Sequence, residues 1–299
     1  MNVTVTGANG FVGTALTRKL LNAGYAVHAL GRHPGDKLPP NVRFSTWNSE
    51  AGPPPRESIA SADAIIHLAG EPISQRWTPE VKERIRSSRI DGTRNLVAAI
   101  AALPRRPQVL LSASAIGIYG SRGDEILTEW SKLDDSDFLA RIAAEWEQAA
   151  EAAQELGVRV VRLRLAMVLG KEGALAKMAP AARRGLIGRI GSGKQWASWI
   201  HIDDLTDLIL FALKNVSLRG PVNASAPNPV TNAELMKELC AAVGRPAIFP
   251  VPLFLVNLAL GEMGSVALAS QRVIPQAAQA AGFRFEYTHI RPALDSLLS

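Results

Sequence analysis

A glycine-rich turn close to the first residue is the feature that most constrains the fold of this chain. Residues 6–13 read TGANGFVG and lie between a short β-rich run and an apolar-periodic helix. Gly7 allows a tight turn out of the strand, Gly10 lets a pyrophosphate approach the backbone, and Gly13 permits close helix-on-strand packing. The free amides at the helix start then face the anion. The context predicts a dinucleotide-binding turn, and the alternative is an ordinary tight strand-to-helix turn.

Strand and helix patterns alternate along the first half of the chain. Residues 64–68 are apolar apart from His67, which is typical of a strand buried on both faces. The alternation predicts βαβ units and a doubly wound parallel sheet of the Rossmann type. We expect a nucleotide-binding domain at residues 1–166 and about 203–226. A smaller C-terminal substrate lobe should then comprise about 167–202 and 227–299. The predicted strands are 3–5, 26–30, 42–46, 64–68, 108–112, 158–163 and 222–224, and the predicted helices include 11–23, 79–102, 138–156 and 203–213.

The composition excludes several classes of protein. The chain has 299 residues, of which 47% are hydrophobic and 20% charged, so it can bury a sizeable core without a disulfide or metal. A single cysteine, Cys240, excludes a disulfide framework and a multi-cysteine metal site, and the five histidines form no HxxxH pair. We predict no metal. No apolar run is long enough for a transmembrane helix, and the first residues lack the basic segment of a signal peptide. We therefore predict a cytoplasmic protein without a membrane partner.

The net charge of +6 indicates an anionic partner. The basic residues are dispersed, and no aromatic residues are interleaved with them as in a nucleic-acid-binding surface. We therefore predict a small anionic ligand and no nucleic acid.

The residue after the second strand indicates which dinucleotide binds. An NAD site places an acid there to bind the ribose hydroxyls. Here the strand ends Leu30-Gly31-Arg32, and no acid occurs before Asp36. A guanidinium can pair with a 2′-phosphate, so Arg32 predicts NADP(H) rather than NAD(H). The alternative is a solvated surface arginine.

Further motifs resemble those of the extended short-chain dehydrogenase/reductases. They are HLAG at 67–70, SAS at 112–114 with IYG at 118–120, EPI at 71–73, RW at 76–77, GSGKQ at 191–195, WIHIDD at 199–204, SQRVIP at 270–275 and GF at 282–283. Together they resemble the subgroup labelled epimerase family proteins or nucleoside-diphosphate-sugar epimerases, some of which carry a cell-division-inhibitor label. The resemblance spans the chain, including the C-terminal tail.

The resemblance implies a Rossmann-type sheet with a small substrate lobe, and it assigns roles to individual residues. Arg32 would bind the adenosine phosphate, and Arg89 on the long helix would reach the cofactor. Met167 and Val168 would line the nicotinamide pocket. The full set of candidate cofactor-binding residues is Gly7, Asn9, Gly10, Phe11, Val12, Gly13, Arg32, Leu68, Ala69, Gly70, Arg89, Met167 and Val168.

One departure from the resemblance concerns catalysis. Members of the wider superfamily use a serine together with a YxxxK dyad, in which the tyrosine is the acid/base and the lysine lowers its pKa. Ser114 matches the serine, but Phe138 and Ile142 occupy the tyrosine and lysine positions. Phenylalanine has no proton to exchange, so any acid/base chemistry needs another group.

Two other residues could replace the dyad. Tyr119 and Glu71 follow the carboxyl ends of strands, where open α/β sheets bind ligands. The candidate catalytic set is therefore Ser114, Tyr119 and Glu71. The alternative for Tyr119 is a packed ring whose hydroxyl is capped by backbone, and the alternative for Glu71 is a salt bridge to a residue such as Arg76. Arg141 could supply a cation, although a solvated helix arginine explains it better.

His201, Asp203 and Asp204 stand before an apolar helix and invite a metal interpretation. A helix N-cap by Asp203 or Asp204 explains them better.

Two classes of function remain open at this point. The chain could be an NADP(H)-dependent oxidoreductase or epimerase-like enzyme acting on a small molecule, with a nucleotide-sugar as one candidate. It could instead be an NADP(H)-bound sensor or scaffold. A homodimer is left open.

Overall fold

The core of the molecule is a sheet of seven parallel strands. The structure is a computed structural model, and it describes residues 1–40, 42–247, 250–252, 254, 256 and 261–298. The strands of this sheet are β1 (Asn2–Thr6), β2 (Ala26–Gly31), β3 (Arg43–Thr46), β4 (Ala64–His67), β5 (Val109–Ala115), β7 (Arg159–Leu165) and β11 (Gly220–Ala224). Their spatial order is β11-β7-β5-β4-β1-β2-β3, and every pairing is parallel. This confirms the predicted doubly wound parallel sheet.

The strand order reverses between β1 and β4, which opens a crevice at their carboxyl ends. All four residues of β4 are buried, as the apolar run predicts. Ile65 packs in the layer that includes Leu96, and Ile66 packs in the opposite layer with Leu16. Burial of each isoleucine side chain contributes about 1.5–3 kcal/mol, so the sheet is held from both faces.

Helices cover the two faces of the sheet. Helices α1 (Phe11–Asn22) and α6 (Ile202–Lys214) lie together on one face, and α3 (Pro79–Ala101) and α4 (Phe138–Glu151) lie together on the other. The helices are α1 (Phe11–Asn22), α2 (Arg56–Ile59), α3 (Pro79–Ala101), α4 (Phe138–Glu151), α5 (Gly173–Arg183), α6 (Ile202–Lys214), α7 (Asn232–Ala242), α8 (Gly264–Leu268), α9 (Gln276–Ala280) and α10 (Ile290–Leu298). Within the described residues, none of these helices is long and apolar enough to cross a bilayer.

Capping residues explain where the two helices beside the crevice begin. Thr78 caps α3 by accepting a hydrogen bond from the Val81 amide at 3.3 Å, and Pro79 occupies the first turn. Asp137 caps α4 through the Ala140 amide at 2.8 Å. The predicted helix 138–156 tightens into a 3₁₀ turn at Ala152–Leu156 and ends at Gly157, whose φ is +78°.

Short strand pairs and helices form the remainder of the chain. Trp199 anchors a separate apolar cluster with Leu235 of α7 and Leu294 of α10. The short strands are β6 (Ile126–Leu127) paired with β13 (Arg272–Val273), β8 (Met167–Leu169) with β10 (Trp199–His201), and β9 (Trp196–Ala197) with β12 (Val230–Thr231).

The predicted N-cap of α6 was wrong. α6 begins at Ile202, and its cap is His201, whose Nδ1 accepts from the Asp203 amide at 3.1 Å. The helix starts one residue earlier than the pattern indicates, so the two aspartates lie in its first turn. Asp204 is buried and accepts hydrogen bonds from the amides of Glu286 and Tyr287 at 2.8 and 3.0 Å.

Candidate functional site

The turn after β1 needs glycine at two positions. Gly7 has a φ of +68°, and a Cβ there would lie 2.8 Å from the backbone of Leu68 and Ala69. A Cβ on Gly13 would lie 2.2 Å from the Gly7 carbonyl oxygen. Gly10, at the N-cap of α1, is exposed and has no side chain to occupy the first-turn amides. The result is an open cradle of backbone N–H groups at a helix start, which suits a phosphate.

Asn9 carries an unpaired polar atom in this cradle. Its Nδ2 donates to the His33 carbonyl, while its Oδ1 is buried and has no hydrogen-bond partner among the described residues. The side chain lies against Gly31 and Gly35, where an added Cβ would stand 3.2 Å away. A buried acceptor without a partner is rare, and a ligand donor would satisfy it.

Arg32 and Glu71 meet over the mouth of the turn. Arg32 Nη1 lies 3.6 Å from Glu71 Oε2, and the side chains are 65% and 15% exposed respectively. The Glu71 backbone N–H donates to Ser88 Oγ at 2.9 Å, and the Glu71 carboxylate oxygen Oε1 accepts from Gln75 Nε2 at 3.2 Å. The salt-bridge partner of Glu71 is therefore Arg32 and not Arg76. Glu71 is therefore held in place by further hydrogen bonds, whereas most of the Arg32 side chain is exposed to solvent.

Arg89 lies directly beneath Gly70. Its Nη1 donates to the carbonyls of Glu71 and Ile85 at 2.9 and 3.2 Å, and its Cζ lies 5.2 Å from the Trp146 ring centroid. Burial lowers the pKa of Arg89 to about 10, opposed by the Glu71 carboxylate, so the guanidinium stays charged at neutral pH. A Cβ on Gly70 would stand 3.3 Å from Arg89 Cζ, which explains the glycine.

A fully buried histidine at the end of β4 is hydrogen-bonded to both β1 and α3 below the crevice. His67 Nδ1 lies 2.7 Å from Thr6 Oγ1, and His67 Nε2 lies 3.0 Å from Thr93 Oγ1. The Thr93 hydroxyl donates to the Arg89 carbonyl, so it accepts from His67 Nε2–H, and Thr6 donates to Nδ1. This assignment requires neutral imidazole. Burial lowers the pKa of His67 to about 4, in agreement with that form.

Ser114 and Tyr119 belong to one buried polar network away from the crevice surface. Ser114 Oγ donates to Glu147 at 2.7 Å, and Arg164 donates to both Glu147 oxygens at 2.7 and 2.9 Å. The Tyr119 hydroxyl accepts from Arg164 at 2.8 Å and donates to Asn223 at 2.7 Å. Ser114 and Tyr119 are 2% and 0% exposed, so neither can touch a ligand as placed. The Tyr119 ring is packed, as the alternative interpretation has it, but its hydroxyl is held by side chains and not by backbone.

Glu129 extends this network towards β11 and α9. One carboxylate oxygen accepts from the amides of Asn223 and Ala277 at 2.9 and 3.2 Å, while Oε2 is buried without a partner among the described residues. Burial raises the pKa of Glu129, and it also raises the pKa of Tyr119. Glu129, Glu147, Arg164 and Asn223 of this network were not predicted from the sequence. Three arginines, at 159, 162 and 164, within a strand whose other residues are apolar were the available signal.

The positions that match the dyad lie in an apolar cluster. The Phe138 ring meets Trp77 edge-on at a centroid distance of 5.5 Å, and Ile142 is 5% exposed. Ile73, Val81 and Ile85 complete the cluster. Arg141 of the same helix is exposed and donates to the carbonyl of Ser136 at 3.2 Å, so it points away from this cluster towards the preceding loop.

The far side of the crevice is formed by the segment after β7. Met167 and Val168 are half-buried on β8, paired with Trp199 and Ile200. The Phe11 ring of the glycine turn packs here, and a Cβ on Gly170 would lie 2.4 Å from it. The glycine turn, residues 68–71, Arg32 and Arg89 thus lie together at the carboxyl ends of the central strands. Phe11 of the turn packs against Gly170, directly after β8.

Two family models match the chain. The NAD dependent epimerase/dehydratase family matches residues 3–224, and a domain of unknown function (DUF1731) matches residues 251–297.

Two curated relatives are similar to this chain along its whole length. Epimerase family protein YfhF of Bacillus subtilis is 38% identical, with 100% of this chain and 98% of that protein covered. The chloroplastic epimerase family protein SDR39U1 homolog of Arabidopsis thaliana is 39% identical, with 100% and 87% covered.

Solved structures show the same similarity. The human epimerase family protein SDR39U1, crystallised with NADPH, is 33% identical with a TM-score of 0.89, covering 100% of this chain and 99% of that one. A nucleoside-diphosphate sugar epimerase from Corynebacterium glutamicum is 36% identical with a TM-score of 0.81, covering 100% of this chain and 58% of that one.

Proposed function

The chain belongs to the NAD dependent epimerase/dehydratase family, and on that premise we propose that it is an NADP(H)-dependent oxidoreductase-like or epimerase-like protein. The observation that carries the proposal is the glycine cradle with Arg32 at its mouth, where an NAD-selecting acid would otherwise follow β2. The human relative crystallised with NADPH supports the same choice of cofactor.

The residues present fit this cofactor. The turn amides of Phe11 and Val12 would hold the pyrophosphate. Gly10, whose own amide donates to the Gly7 carbonyl at 3.0 Å, would let the pyrophosphate approach the backbone, and the unpaired Asn9 Oδ1 would accept from a ligand hydroxyl. Arg32 would take the 2′-phosphate. The backbone of residues 68–70, with Arg89 beneath it, would flank the riboses, and Met167 and Val168 would border the nicotinamide. When bound, the cofactor supplies reversible hydride transfer.

The three candidate catalytic residues take different roles in this proposal. Glu71 borders the crevice and keeps a partly exposed carboxylate, so it is the group that could hold a proton there. Ser114 and Tyr119 act as positioning residues, because their hydrogen bonds to Glu147, Arg164 and Asn223 fix the end of β5.

The substrate in this proposal is a small molecule, and a nucleotide-sugar is the class that the relatives' names suggest. Without a tyrosine and lysine at positions 138 and 142, sugar epimerisation should be absent or very slow, because acid–base catalysis supplies about 10²–10⁴-fold. Incubation with NADP(H) and a panel of nucleotide-sugars, followed by NMR, tests this. Turnover above about 1 s⁻¹ would be ordinary for an enzyme and would contradict it.

Calorimetry tests the cofactor directly. We expect NADPH to bind roughly tenfold or more tightly than NADH, as a charge-assisted contact of about 1.5–3 kcal/mol implies. Arg32→Ala should abolish the preference. Arg43→Ala is the matched control, because Arg43 is exposed at the opposite, amino end of β3. Equal affinities in the native protein would overturn the proposal.

A cytoplasmic location and a homodimer remain proposals of the same kind. The Arabidopsis relative is chloroplastic, so location varies among relatives. Fractionation and light scattering test the two points separately.

A further inference from the structure

An apolar surface occupies the place where the wider superfamily carries its proton-transfer dyad. Ile73 and Trp77 lie in the loop after β4, and Phe138 is the first residue of α4, a helix that packs on the 3₁₀ turn Ile116–Tyr119 after β5. We call these three side chains the aromatic wall. Each is half-buried, so part of each side chain remains accessible to a ligand. A substrate that reaches the crevice from this side meets the wall.

The aromatic wall offers no polar group to a ligand. The Trp77 indole N–H is already donated to the Ile73 carbonyl at 2.9 Å. The side chains behind the wall, Val81, Ile85 and Ile142, are all apolar. Lys82 lies over the Phe138 ring, with its Nζ 5.3 Å from the ring centroid, and is paired with Glu262.

This chemistry favours one class of substrate over another. Sugar hydroxyls pressed on the wall would lose water without gaining hydrogen bonds, and each such loss weakens binding by about tenfold. A flat conjugated ring loses little water and gains offset or edge-on contact with Trp77 and Phe138. Sugar-binding aromatic platforms are usable when neighbouring polar groups hold the hydroxyls. Here the neighbouring Gln75 amide N–H group is already donated to Glu71 and to the Pro72 carbonyl, and Ser74 Oγ already accepts from Lys177.

We propose that the aromatic wall is the subsite for a planar, conjugated and largely apolar substrate ring, of which a naphthoquinone is the simplest probe. The proposal rests on the proposed function in one respect, namely that the nicotinamide lies in the adjoining crevice. It replaces the nucleotide-sugar by a different chemical class at the same site.

The test measures binding without turnover. The full chain is saturated with NADP⁺ and titrated with menadione or with UDP-glucose, by calorimetry and by quenching of tryptophan fluorescence. We expect saturable menadione binding and UDP-glucose binding at least tenfold weaker. Trp77→Ala should weaken menadione binding roughly tenfold or more, because it removes most of the wall. Trp130→Ala is the control, because Trp130 is 68% exposed and lies outside the wall.

A second variant separates loss of the ring from loss of folding. Phe138→Leu keeps an apolar side chain and should weaken menadione binding while leaving the NADP⁺ affinity unchanged. The NADP⁺ affinity of Trp77→Ala should also match that of the native chain. If UDP-glucose binds more tightly than menadione, or if neither wall variant alters menadione binding, the inference is overturned. Failure of NADP⁺ itself to bind would overturn the proposed function together with it.

Discussion

Any anion that binds Arg32 must compete with the Glu71 carboxylate. Glu71 is held by its amide and by Gln75, whereas the Arg32 side chain is mostly exposed. At 3.6 Å the carboxylate both neutralises the guanidinium and repels an incoming phosphate. Partly exposed ion pairs are worth about 0.2–1 kcal/mol, so the competition should change affinity by a few-fold.

Replacing Glu71 should therefore strengthen cofactor binding. We expect Glu71→Gln to raise the NADPH affinity about two- to fivefold by calorimetry, with a smaller gain for NADH, which lacks the 2′-phosphate. In an Arg32→Ala background the gain should shrink, because the carboxylate then has no guanidinium to occupy. Glu172→Gln, which removes an exposed carboxylate paired with Lys37, is the charge-matched control. An equal gain for both cofactors would contradict the competition.

His67 should make stability depend on pH. Its pKa is about 4 in the folded chain, below the ordinary 6.5, so the unfolded chain binds more protons between these values. Its contribution is complete above pH 6.5 and is lost as the pH falls towards 4, by about 3 kcal/mol. Denaturant unfolding from pH 7.5 to 4 should show a shallower loss in His67→Gln. Burial also lowers the pKa of His28 and His201, so the difference between the two proteins is the quantity that isolates His67.

Local chemistry explains which residues could be predicted from the sequence. Gly7 and Gly13 were predictable from the local geometry of the turn: Gly7 has a φ of +68°, and a Cβ on Gly13 would meet the backbone of Gly7 and Ala8. The Arg32–Glu71 pair was not, since the two residues follow different strands and meet only when β1 lies between β2 and β4. The cap of α6 was misassigned because aspartate is the commoner cap, whereas His201 has the extended backbone that a cap needs.

At the scale of elements, a buried ion pair joins β5, β7 and α4. Arg164 and Glu147 are each 3% exposed, and Ser114 and Tyr119 complete their hydrogen bonding. Removing one partner leaves a buried charge unpaired, which costs about 3–5 kcal/mol, whereas removing both costs far less than the sum.

The double-mutant cycle follows from that asymmetry. Glu147→Leu and Arg164→Met should each lower the free energy of unfolding by about 3 kcal/mol or more, and the double variant should recover much of the loss. Glu151→Leu on the same helix is the control, because its side chain is 48% exposed and should cost about 1 kcal/mol or less. Denaturant titration measures all four. Additive single losses would show that the pair has no coupled role.

The elements themselves were largely predictable from periodicity, whereas their polar connections were not. β4 and α3 follow from an apolar run and from Thr78-Pro79. From the sequence alone, Arg164 is only a charged residue within a buried strand. Its carboxylate partner, Glu147, lies on α4, and the two side chains meet only once that helix packs against the strand.

At the scale of the whole molecule, the C-terminal tail, residues 286–298, is bound to the end of β10 and the start of α6. Asp204 holds the amides of Glu286 and Tyr287, and the Tyr287 ring stacks on His201 at a centroid distance of 3.9 Å. Ser296 Oγ lies 3.2 Å from His201 Nε2. These contacts connect the tail to the same helix that packs beside α1 and the glycine turn.

Loosening that attachment should expose the tail without unfolding the sheet. In native Asp204 each carboxylate oxygen accepts from one backbone N–H, of Glu286 or of Tyr287. Asp204→Asn keeps only one of these acceptors, and the new NH₂ group faces the other backbone N–H, with which it cannot form a hydrogen bond. We expect faster amide hydrogen exchange across residues 286–298, with exchange in β1, β4 and β5 unchanged, because local opening requires less free energy than global unfolding. Asp207→Asn is the control on the same helix, since it removes an exposed carboxylate paired with Lys19. Equal acceleration in the tail and the central strands would show that Asp204 stabilises the whole fold, and unchanged exchange everywhere would show that its two hydrogen bonds do not hold the tail.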